Sequence, residues 1–170
     1  MTTAPTLTTA RLTLRAATAA DFDAYAAMLG DARSQYMGGP FSRTAAWDMF
    51  CNTIAQWSLS GFGGWIIDGA TGFVGEVAIW HPSHFPEPEL GWTLTAQAEG
   101  HGYAFEAATA ARAWYWANTD AQTLVSYIDP ANARSIALAT KLGAQPDPNG
   151  PWATGESAAD TTVFRHRRPV

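Results

Sequence analysis

Lysine is almost missing from this chain. Lys141 stands alone beside nine arginines, against fifteen acidic residues, and the net charge is −5. Nucleic acid binding rests on clustered Lys and Arg that neutralise phosphates. No such field is left here, so DNA and RNA are excluded as main partners. Cysteine is equally scarce. Cys51 cannot form an internal disulfide, which agrees with a reducing compartment, and its place in a helical apolar stripe reads as packing rather than nucleophile. Long apolar runs are absent too: none approaches the ~20 residues that span a bilayer. The opening MTTAPTLTTARL lacks a basic region followed by an apolar core. These absences point to a cytoplasmic protein with no membrane partner. No repeat or low-complexity linker divides the 170 residues, and with 47% hydrophobic and 15% charged residues the chain reads as an ordinary globule. It suits a single domain, 1–170, able to bury roughly 70% of its unfolded surface.

What the chain does have is a stretch that organises the rest, Leu90 to Ala111. A strand-like run carrying Leu90, Trp92 and Leu94 gives way to a polar loop from Gln97 to Gly102, which opens into an alanine-rich helix. Glycines keep side chains out of the space between backbone and ligand. The first-turn amides of a helix have no partner inside it, so such an end suits an anion, most often a phosphate. Spacing separates the phosphate-loop readings. A Walker loop needs Gly-Lys, and no such pair exists. A dinucleotide fingerprint needs a third glycine where Phe105 stands. What remains is Q-x-x-G-x-G as Gln97, Gly100 and Gly102, with His101 between the glycines and Tyr103 and Ala104 after them. An ordinary strand-to-helix turn with a glycine cap is the bland alternative.

Two further segments bear on that choice. Val125 to Ala144, VSYIDPANARSIALATKLGA, reads as a short strand, a turn, and a helix capped by Asn132 and ended at Gly143. Leu7 to Tyr25, LTTARLTLRAATAADFDAY, opens the chain, and Val163 to His166 nearly closes it. The glycine loop resembles the acyl-CoA pyrophosphate loop of the GNAT N-acetyltransferase superfamily. Asn132, Ser135 and Lys141 to Ala144 resemble its second signature. The opening and the ending resemble its RimJ/RimL-like branch, the ribosomal-protein-alanine acetyltransferases, so the likeness covers essentially the whole chain.

The likeness implies a fold and a cofactor. The fold is α/β in the α+β sense: a mixed, mostly antiparallel sheet of about six or seven strands with about four helices and one parallel, splayed strand pair. Acetyl-CoA is the implied cosubstrate, with no metal. Its pantetheine arm would lie in the gap between the strand near Glu89 and that at Thr123 to Ile128. Cofactor contacts would fall on Trp92, Leu94, Gln97, Gly100, His101, Gly102, Tyr103, Ala104, Asn132 and Ser135. For Asn132, helix capping alone is a sufficient account. The acceptor would be a small-molecule amine or a protein N-terminus, and an acidic surface favours a cationic acceptor. Monomer and homodimer both stay open.

Along the chain, Leu7 to Arg15 alternates as a first strand. Thr18 and Asp21 make an approximate capping box for a short helix to Leu29. Ser42 caps a second helix, stopped by Gly61, whose stripe is Ala46, Met49, Phe50, Ile54 and Trp57. Core packing is the first reading of its aromatics. Met37, Phe41 and His81 are the pocket candidates. Gly64 to Asp68 and Phe73 to Trp80 form a hairpin. The helix from Gly102 to about Ala117 is the crossover that a parallel pair requires. Asp160 to His166 closes the sheet.

The chemistry needs a base, because an amine attacks a thioester only when neutral, and a free α-amino group has a pKa near ~8. Glu89 is the first candidate and Glu76, interrupting an apolar strand, the second, with His81 and His84 on the flanking loop behind them; each has a solvated or paired side chain as its alternative. Many superfamily members place a Tyr acid seven residues after the Asn, where this chain has Ala139. Ser135 is the nearest substitute and Tyr127 another. A non-catalytic acyl-CoA-binding or sensing domain is the competing reading, and Ala139 is what favours it.

Overall fold

Residues 7–15 do not run as one strand but fold back on themselves. In the computed structural model, which describes residues 3–169, β1 (Leu7–Thr8) and β2 (Thr13–Arg15) pair antiparallel, Leu7 opposite Leu14. Thr9 makes the turn: its N–H donates to Leu12 C=O at 2.9 Å, and its Oγ1 accepts from Leu12 N–H at 3.0 Å. A short polar side chain that bonds nearby backbone is a turn former, and alternation alone does not reveal it.

The sheet continues with β3 (Gly64–Gly69), β4 (Gly72–Trp80), β5 (Glu89–Leu94), β6 (Thr123–Ile128), β7 (Gln145–Pro146) and β8 (Thr162–Arg167), in the order β1-β2-β3-β4-β5-β6-β8-β7. The opening hairpin and the two-residue β7 bring the strands to eight, against the six or seven expected. All neighbours are antiparallel except β5 and β6, which pair parallel at Glu89 opposite Val125. The helix α3 (Tyr103–Asn118) is the crossover between them.

Period-two alternation sends each strand's side chains to opposite faces, and both faces are covered. On one lie α1 (Phe22–Leu29) and α2 (Arg43–Ser60), packing Tyr25, Leu29, Ala46 and Phe50 against Ile66. Asp21 accepts from Thr18 N–H at 2.7 Å ahead of α1. Ser42 caps α2 by accepting from Ala45 N–H at 3.2 Å. On the other face lies α3 (Tyr103–Asn118), whose Ala107, Ala108 and Ala111 let it approach Val77, Ile79 and Leu90 closely. There Trp57, Trp65 and Trp114 meet edge to face, with ring centroids 4.7 to 5.3 Å apart. Finally α4 (Ala133–Lys141) follows β6, capped by Asn132 Oδ1, which accepts from Ser135 N–H at 3.2 Å.

The expected stripe of α2 is only partly right. Ala46, Phe50 and Trp57 are buried, but Ile54 is 43% exposed and Cys51 is exposed, so neither packs in the core. Thr53 and Gln56 face inward instead. The reason is Glu76 on β4, which needs a hydroxyl donor from the overlying helix and receives one from Thr53 Oγ1 at 2.7 Å.

Candidate functional site

After Glu89 and Val125 the parallel strands part, and a cleft of about 1250 Å³ opens through the sheet. Opposed residues of an antiparallel pair share a face. Glu76, Ala78 and Trp80 therefore lie on the same face as their partners Thr93, Gly91 and Glu89, under α1 and α2. Trp92 and Leu94 lie on the opposite face, packed on the α3 side. The cleft thus joins a carboxylate-bearing mouth to a channel along α3 and α4.

The glycine loop frames that channel. Gly100 and Gly102 sit at φ +78 and +76, a left-handed conformation that other residues adopt at a cost. Gly102 caps α3 without a side chain. Among the described residues, the main-chain N–H groups of 100–105 have no partner, whereas those of Ala98 and Glu99 bond to Thr95 and Ala96 carbonyls. Gly100, Gly102, Tyr103 and Ala104 line the main cleft. Gln97 and His101 line a separate cleft of about 650 Å³ on the other side of the loop, while Leu94 and Tyr103 border both. Arg11, from the β1–β2 turn, pins the loop by donating to His101 C=O at 2.8 Å and pairing with Glu106 at 2.7 Å. Glu99 bridges Arg33 and Arg134, and their guanidinium groups hold its carboxyl below the usual range. Arg11, Arg33, Arg134 and Glu99 escaped the sequence reading. Glu99 is 66 residues from Arg33 and 35 from Arg134, with no local signal to join them.

The two candidate carboxylates differ. Glu76 is buried, with both oxygens engaged: Tyr25 OH donates to Oε2 at 3.2 Å and Thr53 Oγ1 to Oε1. Burial pushes its pKa up to about 7, against the pull of those two donors. Glu89 lines the cleft and engages one oxygen, accepting from Tyr127 N–H at 3.3 Å. Burial, helped by nearby Glu156, raises it to about 7 as well. Its neighbour Glu87 is neutralised by both arms of Arg165, at 2.7 and 2.8 Å; among the described residues Glu89 has no such partner. The Tyr127 hydroxyl, beside Glu87 and Glu89, is enclosed and unpartnered, and burial pushes its pKa up to about 12.

On α4, Asn132, Ser135 and Leu138 face the cleft, and Trp92 Nε1 reaches Ser135 Oγ at 3.4 Å. Ala139 is fully buried against Ile128, Ala144 and Phe164. The hydroxyl that α4 offers the cleft is therefore Ser135. Met37 and Phe41 line the cleft near Met49 and Asn52. His81 is exposed and does not line it; His84, three residues on, does. The intervening Pro82 turn carries His81 outward and stacks His84 edge-on against Phe85 at 4.7 Å.

Unpartnered amides at a helix start fit a diphosphate, and a strand edge left bare by the splay fits the amides of an extended arm. Comparison with known proteins gives the family. Residues 11–145 match the Acetyltransferase (GNAT) domain family. An acetyltransferase from Agrobacterium tumefaciens is 42% identical, with a TM-score of 0.90 over 97% of this chain and 95% of that one. A proposed ribosomal-protein-serine acetyltransferase from Vibrio cholerae is 27% identical, with a TM-score of 0.77 over 99% and 100%. RimL, the ribosomal L7/L12 alpha-N-protein acetyltransferase, solved in complex with coenzyme A, shares the fold at 15% identity and a TM-score of 0.73 over 96% and 98%.

Proposed function

Since the chain belongs to the GNAT acetyltransferase family, we propose that it transfers an acetyl group from acetyl-CoA to a primary amine, with both held in the one cleft. The observation that carries this reading is Glu89: a carboxylate with one free oxygen and a pKa near 7, at the mouth of a gap that leads to bare amides. The N–H groups of residues 100–105 hold the diphosphate, assisted by Arg33 and Arg134. The open edge of β5 at Trp92 and Leu94 pairs with the pantetheine amides and turns N–H donors toward the thioester carbonyl. Gln97 and His101 shape the loop from its far side, and Asn132 keeps the first turn of α4 in place. Acetyl-CoA brings an activated acyl group and a thiol of pKa near ~8.5, which leaves readily as thiolate. Ser135, the hydroxyl that α4 presents to the cleft, would donate to that sulfur.

Glu89 takes the proton from the incoming ammonium, directly or through one water. A base near 7 is close to an α-amino group at ~8 and far from a lysine at ~10.4. The match favours an N-terminal amine or a weakly basic small amine, with Met37 and Phe41 as the apolar wall. Likeness to the Vibrio protein, whose name gives a serine of a ribosomal protein as acceptor, supports a protein acceptor. Glu76, with both oxygens engaged, acts here as a post that ties α1 and α2 to the sheet beneath the acceptor. The test is thiol release from acetyl-CoA across a panel of N-terminal peptides and small amines. Release with at least one class, lowered about 10²- to 10³-fold by Glu89→Gln, is expected. Tight acetyl-CoA binding with no amine releasing thiol would instead make this a binding or sensing domain, the reading that Ala139 favours.

A further inference from the structure

The splay between β5 and β6 is capped by side chains. A parallel ladder in the register Glu89–Val125, with Val125 N–H on Pro88 C=O at 3.1 Å, continues by joining Tyr127 N–H to Leu90 C=O. Here each of those groups has a side-chain partner. Tyr127 N–H donates to Glu89 Oε1 at 3.3 Å, and Leu90 C=O accepts from Ser126 Oγ at 2.6 Å.

Behind Ser126 stands a buried relay. Since its single hydroxyl proton goes to Leu90, Ser126 Oγ must accept from His166 Nε2, 3.0 Å away. His166 Nδ1 then has no proton and accepts from Arg112 Nη1 at 3.2 Å, while the same nitrogen donates to Leu142 C=O at 2.6 Å. This assigns one tautomer and leaves every ring nitrogen satisfied. Ser126 is 1% exposed and His166 0%. Arg112 sits on α3, and Leu142 is the carbonyl end of α4, a favourable place for a cation. The chain of bonds therefore joins both helices of the cofactor channel, through β8 and β6, to the β5 carbonyl at which the strands part.

We propose that Ser126, oriented by His166 and Arg112, is a positioning residue that holds β5 and β6 apart and so keeps the cofactor cleft preformed; this rests on the acyl-CoA reading of that cleft. The hydroxyl occupies the one carbonyl through which the strands would zip by a further rung. Its loss frees Leu90 C=O for Tyr127 N–H, closing the apex of the gap that the pantetheine arm enters.

Ser126→Ala tests this, with two measurements. In the absence of any ligand, amide hydrogen exchange at Tyr127 should slow about tenfold, because that N–H passes into a ladder. Acetyl-CoA Kd by calorimetry should rise about tenfold or more, since small misplacements at such sites are costly. Ser126→Thr, which keeps the hydroxyl, should restore both values. If the orphaned His166 unfolds Ser126→Ala, the paired Ser126→Ala/His166→Leu variant removes both polar partners and is expected to give the same two shifts. Unchanged exchange at Tyr127 in a folded variant overturns the proposal, as does a slowed Tyr127 with unchanged Kd. Should the unaltered chain fail to bind acetyl-CoA, the cofactor reading falls, and the ligand-free exchange still decides whether Ser126 parts the strands.

Discussion

A carboxylate that takes a proton from an ammonium is useful only in its charged form, and burial at the cleft mouth makes that form costly. With Glu89 raised to about 7, turnover should be low in acid, rise through pH 7 and level off above it. Glu89→Gln should erase that limb and lower the plateau about 10²- to 10³-fold, while acetyl-CoA Kd stays within a few-fold. A pH–rate profile of thiol release checks both. Glu76 titrates over the same range with no free oxygen, so its signature lies in stability. Its folded pKa, about 7, exceeds the unfolded value of 4.5. Between those values the folded state holds a proton that the unfolded chain has released, so its contribution is complete below 4.5 and is lost as pH rises through 7. Glu76→Gln has no such slope. Its melting temperature, relative to the unaltered protein, should climb from pH 4.5 to 8 by calorimetry; a constant difference would mean that Tyr25 and Thr53 hold the charge without penalty.

Among the elements, the loop that enters α3 was legible in sequence because its determinants are local: two glycines, a polar run, and a helix start within a dozen residues. The caps at Ser42 and Asn132 were legible for the same reason. What escaped depends on distance along the chain. The inward face of α2 was misread because Thr53 answers to Glu76, 23 residues away. The opening strand was misread because a threonine side chain, not an alternation, decides where it turns. Ser126 and His166 lie 40 residues apart, and neither carries a pattern. The Arg33–Glu99–Arg134 bridge belongs to this class, and it sets two guanidinium groups against the loop. Replacing both arginines with alanine should weaken acetyl-CoA binding about tenfold at low salt and by less at high salt. S-acetylpantetheine, which has no diphosphate, should be nearly indifferent to the change. Equal losses for the two ligands in calorimetric titrations would place the arginines in the scaffold rather than at the phosphates.

For the whole molecule, the two substrates of the proposed reaction are opposite in charge. Acetyl-CoA is a polyanion, and an amine acceptor is a cation until Glu89 relieves it of a proton. A chain of net charge −5 repels the first over long range and attracts the second, so in the proposed reaction the bare amides of α3 and the two bridging arginines would hold the cofactor at short range against that field. Short-range contacts inside a cleft are screened weakly, whereas steering acts across distances that salt cuts down, with a Debye length near ~30 Å at ~0.01 M and ~10 Å at ~0.1 M. The balance has a measurable consequence. As ionic strength rises over that interval, kcat/KM for a cationic peptide amine should fall several-fold, and the association rate of acetyl-CoA should hold steady or rise. An acceptor that is neutral at assay pH should show no such fall. If both cationic and neutral acceptors weaken together, salt is acting on the cleft itself, and the acidic surface has no part in choosing the acceptor.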